Sequence, residues 1–255
     1  MGSSHEESPR AVGVVGDGPL AGRVCEAVEA GGAELVRGSA AEATAADPGS
    51  VVAVGEAALL DLVRADVGAP VLPVDAGPGY GGVAAGDAAA GVESLLGGDF
   101  ERDTRDVLAA SVDGERAGRA LADVMLVTAE PARISEYAVR SRGEQVARVR
   151  ADGLVVSTPT GSHGYGRTAG GPILEPGSGV VGVLPVAPFA VNADHWVVST
   201  DRPVTLSVER DESEVSLLLD DRTVRSVAPH VPVEVARDGA LAVARVPESR
   251  PFFER

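Results

Sequence analysis

The sequence predicts an α/β N-terminal half joined to an all-β C-terminal half. Three observations carry that prediction. Short apolar runs alternate with helix-forming stretches up to about residue 103. Beyond it, short β-prone runs are split by turn signals and partly alternate apolar with polar. A charged stretch at residues 99–103 separates the two textures. A chain of 255 residues has room for two small domains. The expected organisation is a disordered tail at 1–10, an α/β domain at 11–103, a β domain at 104–246 and a C-terminal tail at 247–255.

Each element has its own warrant. Residues 11–15 are apolar and end in Gly16-Asp17-Gly18-Pro19, which reads as a buried strand and a tight turn. Pro19 suits the first turn of a helix reaching about residue 30. Leu35 and Val36 mark a weak second strand, residues 40–46 a short helix, 51–54 a third strand and 59–64 a helix. Residues 71–74 form a fourth strand, 77–82 a glycine-rich loop and 87–96 a helix. This alternation implies a parallel sheet covered on both faces. In the second half, residues 134–140 and 146–150 read as strands. Asp113-Gly114, Arg142-Gly143, Asp152-Gly153, Asp220-Asp221 and Asp238-Gly239 read as turns.

Composition excludes several function classes. Acidic residues number 38 and basic residues 22, a net charge of −16, and all 22 cations are arginine. Without lysine there is no Walker A loop, no kinase-type phosphate lysine and no Schiff-base chemistry. The acidic balance argues against nucleic acid as a partner. A single cysteine, Cys25, excludes a disulfide framework and cysteine-rich metal sites, and fits a reducing cytoplasm. No apolar run has the length of a membrane span, and the N-terminus lacks the apolar core of a signal peptide. High acidity without lysine, with Asn192 and Gln145 the lone residues of their types, points to a high-salt interior.

One stretch concentrates chemistry: Asp152-Gly-Leu-Val-Val-Ser-Thr-Pro-Thr-Gly-Ser-His-Gly-Tyr-Gly-Arg-Thr-Ala-Gly-Gly-Pro172. An apolar strand at 154–156 enters a loop of small residues, where Thr158, Thr160 and Ser162 bring hydroxyls. Gly161 and Gly164 let a ligand approach the backbone, and Tyr165 offers a flat face and a phenol. Such a loop suits a nucleotide; its plainer reading is a structural glycine-rich turn. Other features carry weaker signals. Gly16-Asp-Gly-Pro-Leu-Ala21 with Glu34 fits a dinucleotide fingerprint, equally a plain strand-to-helix connection. His163 has no partner at metal spacing, since His5, His195 and His230 are distant, so no metal site is expected. Ser157, Ser162 and His163 do not form a nucleophile elbow.

The stretch resembles the signature region of the NAD kinases, whose pattern runs Asp-Gly-Leu/Ile, Thr-Pro-Thr-Gly-Ser-Thr-Ala-Tyr and Ala-Gly-Gly-Pro. Leu184-Pro-Val-Ala-Pro-Phe189 is similar to the family's strand exit, and Phe252-Phe253-Glu254-Arg255 to the start of its closing helix. The resemblance implies a Rossmann-like α/β domain and a β-sandwich-like domain with NAD bound between them, in dimers or tetramers. It implies phosphoryl transfer from ATP, with Mg²⁺, to the adenosine ribose 2′-hydroxyl of NAD, giving NADP. By position it assigns NAD contacts to Asp152, Thr160, His163, Gly164, Tyr165 and Thr168.

Within the stretch His163-Gly164 replaces the family's Thr-Ala, and further departures lie elsewhere. The family's Gly-Gly-Asp-Gly-Thr cradles phosphate, and its aspartate takes the 2′-hydroxyl proton. Here the matching run is Val54-Gly55-Glu56-Ala57-Ala58, so Glu56 stands in the place of the base and Gly55 alone keeps its glycine. The family's Asn-Glu pair is Ala122-Asp123, leaving Asp123 as its NAD contact, and its later Asn is Asp75, followed by a retained Gly77. Arg167, and less so Arg64, are the cations available to phosphate. Three function classes follow: an NAD kinase using Glu56, a catalytically silent NAD(H)- or NADP-binding protein, and phosphoryl transfer to another acceptor.

Overall fold

A computed structural model describes residues 11–130, 133–190, 193–211 and 213–253. The tail expected at 1–10, Asn192, Glu254 and Arg255 lie outside the described residues. The chain divides into two units, one of residues 1–103 with 241–255 and one of residues 104–240.

The first unit alternates strands and helices: β1 (Val12–Val15), α1 (Gly18–Ala30), β2 (Leu35–Arg37), α2 (Ala40–Ala45), β3 (Ser50–Val54), α3 (Glu56–Arg64), β4 (Val71–Val74) and α4 (Ala88–Gly97). The strands pair in parallel in the order β2-β1-β3-β4, with Val12 beside Ser50 and Val51 beside Val71. β1, β3 and β4 are short and buried along their whole length, as a sheet covered on both faces requires. Val12, Val14, Val52 and Val54 point to one face and pack with Val24 and Val28 of α1 and Val92 and Leu95 of α4. Gly13 and Val51 point to the other, toward Ala43 of α2. Ser39 caps α2 through a reciprocal pair with Glu42, which satisfies two otherwise unpaired backbone donors.

The second unit is all β but for the signature loop. It holds β5 (Glu101–Val112, entering from the first unit), β6 (Glu115–Ala120), β7 (Asp123–Thr128), β8 (Ser135–Ser141), β9 (Glu144–Ala151), β10 (Gly153–Ser157), β11 (Val180–Val186), β12 (Trp196–Ser199), β13 (Val204–Arg210), β14 (Val215–Leu219), β15 (Arg222–Val227) and most of β16 (Val233–Arg245). One antiparallel sheet runs β12-β11-β10-β7-β14-β15. Opposite it, β9, β8, β13 and the first part of β16 pair in that order, also antiparallel. Alternate residues of both sheets, including Val124, Leu126, Leu154, Val156, Tyr137, Val139, Leu206 and Val208, share one core. This is the interleaving of a β-sandwich. Met125, Val155 and Leu184, on the other face of the first sheet, are buried as well.

The structure corrects five expectations. Asp238-Gly239 is no turn: it lies inside β16, where Gly239 takes φ +90° and the strand continues. The Asp238 carboxylate is held there by Arg116 at 2.7 Å and Arg119 at 2.9 Å. As a result residues 241–246, assigned on sequence grounds to the second domain, lie with the first unit. Val243 pairs in parallel with Val71, and Ala244 and Val246 join the apolar core of α1 and α4. Residues 247–253, expected as a tail, also belong there: Arg250 N–H donates to the Gly82 carbonyl and Ser94 Oγ to Glu248. Phe252 and Phe253 form a turn with edge-to-face rings rather than starting a helix. Finally, residues 165–168, within the expected all-β half, make one helical turn, α5 (Tyr165–Thr168). Among the described residues no helix is long and apolar enough to cross a membrane.

Candidate functional site

In the second unit the signature loop leaves the end of β10 and folds onto the segment before β7. Thr158 N–H donates to the Ala122 carbonyl at 2.9 Å, and Thr158 Oγ1 donates to the Leu121 carbonyl at 2.7 Å. The same hydroxyl accepts Gly161 N–H at 3.2 Å. Ser162 Oγ donates to the Pro159 carbonyl at 2.6 Å and accepts Leu174 N–H at 3.1 Å. The hydroxyls of Thr158 and Ser162 therefore build the loop itself, and both residues are buried. Thr160 is buried too.

Gly161 explains why the loop sits so close. A Cβ at that position would lie 2.3 Å from the Ala122 carbonyl oxygen and 2.4 Å from Asp123 Oδ1. No side chain fits there. The loop thus sets Gly161 against Asp123, which is buried, and Thr160, His163, Gly164, Tyr165, Arg167 and Thr168 lie in that same loop. Gly164, Tyr165, Arg167 and Thr168 face solvent, Tyr165 at 55% exposure, while Thr168 Oγ1 donates to the Gly164 carbonyl. Burial holds the His163 imidazole below its ordinary titration range, and the Arg167 charge adds to the effect.

Asp152 is not part of that group. It precedes β10, while the loop follows it, so roughly 20 Å of extended chain at about 3.4 Å per residue separates Asp152 from Thr158. Its backbone closes a structural junction. The Asp152 carbonyl accepts Thr128 N–H at 2.9 Å and the Tyr137 hydroxyl at 3.4 Å, and its N–H donates to Val186. Tyr137 is fully buried, and burial pushes its phenol up from the ordinary range.

Sequence reasoning missed Asp220. In the turn between β14 and β15 it adopts φ +53°, and its carboxylate accepts three consecutive backbone N–H groups. Leu121 donates to Oδ2 at 3.0 Å, and Ala122 and Asp123 donate to Oδ1 at 2.8 and 3.0 Å. Asp220 N–H returns a bond to the Asp123 carbonyl at 2.9 Å. Asp220 thereby fixes the strip of chain on which Thr158 and Gly161 rest. The one sequence signal was the Asp220-Asp221 pair, which identifies a turn and nothing about its partners.

In the first unit Gly55 precedes α3 with φ +86°, a conformation that favours glycine, and its N–H donates to Val74 at 2.8 Å. Glu56 is the first residue of α3 and is exposed. Its Oε1 accepts the hydroxyl of Tyr80 at 2.5 Å. Tyr80, also missed, is buried in the glycine-rich loop after β4. Ala58 buries its methyl in the first turn of α3, and Ala57 is exposed. Arg64 is paired with Asp61 at 2.8 Å. Asp75 and Gly77 are exposed at the start of the Tyr80 loop. Among the described residues no group of three or more His, Cys, Asp or Glu side chains is placed to hold a metal ion.

Residues 121–239 match the family model of the ATP-NAD kinase C-terminal domain. An NAD kinase of Chlorobium chlorochromatii is 32% identical over 168 residues, 65% of this chain and 59% of that protein. An NAD kinase of Methanosarcina acetivorans is 34% identical over 145 residues, 56% and 52% of the two chains. The chain thus spans between about half and three-fifths of the curated relatives it matches. The crystal structure of an NAD kinase from Archaeoglobus fulgidus in complex with ATP superposes with a TM-score of 0.75 at 22% identity, covering 92% of each chain. Yeast NADH kinase complexed with NADH superposes with a TM-score of 0.76 at 15% identity, covering 94% of this chain and 84% of that one.

Proposed function

We propose that this chain, whose residues 121–239 match the ATP-NAD kinase C-terminal domain and which is 32% identical to an NAD kinase over 168 residues, acts as an NAD kinase and transfers the γ-phosphoryl group of ATP to the adenosine ribose 2′-hydroxyl of NAD. The 2′-oxygen forms its bond to the γ-phosphorus as the bond to the bridging oxygen breaks, giving NADP and ADP. Glu56 takes the hydroxyl proton. Asp123, Thr160, His163, Gly164, Tyr165 and Thr168 hold the NAD, and Gly55 with Arg167 hold phosphate. Asp152 is left out of the contact set because it lies at the far end of β10. The described residues form no Mg²⁺ cage. The ion would arrive on the ATP phosphates, and no step here runs through it.

The observation that carries this reading is the carboxylate of Glu56 at the opening of α3. It is exposed and held through Oε1, which leaves Oε2 to accept a proton. Phosphoryl transfer depends mostly on positioning and charge stabilisation, so a placed base and a ligand-ready loop are what it requires of the protein. A second reading is supported by Ala57 and Ala58. The exposed Ala57 methyl stands in a glycine's place in the backbone approach that a phosphate nest needs, and Ala58 lacks the hydroxyl of the family's threonine; both favour a protein that binds NAD(H) or NADP without turnover.

The test is NADP formation by the purified protein with NAD, ATP and Mg²⁺ in molar KCl, beside Glu56→Gln. Turnover that disappears in the variant supports the kinase with Glu56 as base. Absence of NADP, with NAD or NADP binding measured by calorimetry in the same buffer, supports the silent binder.

A further inference from the structure

Glu56 carries its carboxylate through three rotatable side-chain bonds. An exposed glutamate samples several rotamers, and only some direct an oxygen at a given acceptor. Glu56 is exposed on its own helix, yet its carboxylate is tied to a buried group. The Tyr80 hydroxyl donates to Oε1 at 2.5 Å, across 24 residues of sequence.

Tyr80 is a fixed point. Its residue is 6% exposed, and the loop carrying it is fastened on both sides. Val83 N–H donates to the Pro73 carbonyl and Asp75 N–H to the Val83 carbonyl, each at 2.9 Å, and Val83 bridges to Val74. Gly82 lies so near β4 that a Cβ there would be 2.1 Å from the Pro73 carbonyl oxygen. Arg250 N–H ties the Gly82 carbonyl to the end of the chain at 2.9 Å. The loop cannot slide without breaking these bonds together. Glu56 is therefore anchored at its backbone by the start of α3 and at Oε1 by Tyr80, which fixes the torsions between.

We infer that Tyr80 is a positioning residue for phosphoryl transfer: its hydroxyl holds Oε1 of Glu56 so that Oε2 is the oxygen presented to the acceptor hydroxyl. The inference rests on the reading of Glu56 as the base. Tyr80 keeps its own proton throughout. The proton leaving the acceptor goes to Oε2, and Oε1 remains the acceptor of the phenol.

Tyr80→Phe keeps the buried ring and removes only the hydroxyl. The experiment compares wild type, Tyr80→Phe, Glu56→Gln and the double variant for NADP formation in molar KCl, with a thermal melt of each. Tyr80→Phe is expected to lower kcat by roughly ten- to a hundredfold with KM for NAD unchanged and its melting midpoint close to wild type. The double variant should be no slower than Glu56→Gln alone. If Glu56→Gln is inactive and Tyr80→Phe keeps the wild-type kcat, Tyr80 has no positioning role while the base reading stands. If Glu56→Gln retains turnover, the base reading fails instead. A second measurement is independent of turnover: carbon relaxation of the labelled Glu56 side chain should report a rigid carboxylate arm in wild type and a mobile one in Tyr80→Phe. Equal mobility in both would overturn the inference.

Discussion

Replacing Gly161 with alanine tests whether the signature loop depends on its contact with residues 122 and 123. The added Cβ would lie 2.3 Å from the Ala122 carbonyl oxygen, 2.7 Å from its carbon and 2.4 Å from Asp123 Oδ1. Ordinary contact begins near 3.4 Å, so the loop and its support must separate by about 1 Å. The support cannot yield easily, because Asp220 holds the N–H groups of residues 121–123 and Thr158 holds the two carbonyls beside them. Overpacking of this kind costs about 1–3 kcal/mol. The same displacement carries His163 and Tyr165 away from their places, and a misplacement near 1 Å costs roughly a hundredfold in a site that depends on geometry. Unfolding of the variant in molar KCl and calorimetric titration with NAD and NADP measure the two effects. Gly22→Ala in α1 is the control. Beyond its own helix backbone and chain neighbours no atom lies within 4 Å of a Cβ there, and a mid-helix alanine gains about 0.5–1 kcal/mol over glycine. Wild-type stability and affinity in Gly161→Ala would refute the account of the loop.

Three further outcomes are expected. Asp220→Asn leaves one oxygen and an amide donor to face three N–H groups, so at least one stays unsatisfied; thermal unfolding should show a loss of about 1–3 kcal/mol, and a loss below about 0.5 kcal/mol would count against the clamp. His163 titrates below the ordinary imidazole value of about 6.5 in the folded chain, so the unfolded chain takes up the proton first. The stability its neutral form contributes is present above about pH 6.5 and declines as pH falls through its lower folded value; His163→Gln should flatten that part of a stability–pH curve, and an unchanged slope would contradict it. A net charge of −16 repels itself at low salt, and the screening length shrinks from about 10 Å at 0.1 M to about 3 Å at 1 M, so the melting midpoint should rise with KCl. A falling midpoint would show that the surface ion pairs outweigh the repulsion.

Local pattern was enough to read most of the fold. The valine-rich runs of β1, β3 and β4 carry no alternation because both faces of the sheet are covered, and their brevity marks them as strands rather than helices. Where the reading failed, a local signal met a long-range constraint. Asp238-Gly239 has the composition of a hairpin turn, yet Arg116 and Arg119, some 120 residues earlier, hold the aspartate and the strand continues through it. That continuation returns residues 241–246 to the first unit. The site divides in the same way. The signature loop is contiguous, so its residues were legible in order, but its stability is not written there. Asp220 lies 97–99 residues from the amides it binds, and backbone donors leave no trace in sequence. The hydroxyls of Thr158 and Ser162 suit a nucleotide and a structural turn equally in sequence, which cannot tell which acceptor they meet.

Glu56 shows why a departure from a family pattern has to be judged with its neighbours. Taken alone, an aspartate at this position should restore the base that the resemblance to NAD kinases implies. In this chain it should not. Shortening the arm by one methylene withdraws the carboxylate by about 1.5 Å, which stretches a 2.5 Å bond from Tyr80 to about 4 Å, beyond hydrogen-bond reach. Tyr80 cannot follow, because its loop is fastened to Pro73, Val83 and Arg250. Glu56→Asp would then leave a buried phenol without its carboxylate and a base without its anchor. NADP formation by Glu56→Asp is expected to be slower than wild type, by about tenfold or more, with the deficit largest in kcat. Simultaneous Tyr80→Phe should cost the aspartate variant little more, since the bond is already gone. A Glu56→Asp protein faster than wild type would mean that the extra methylene is a defect the chain tolerates, and that the Tyr80 contact does not serve the reaction.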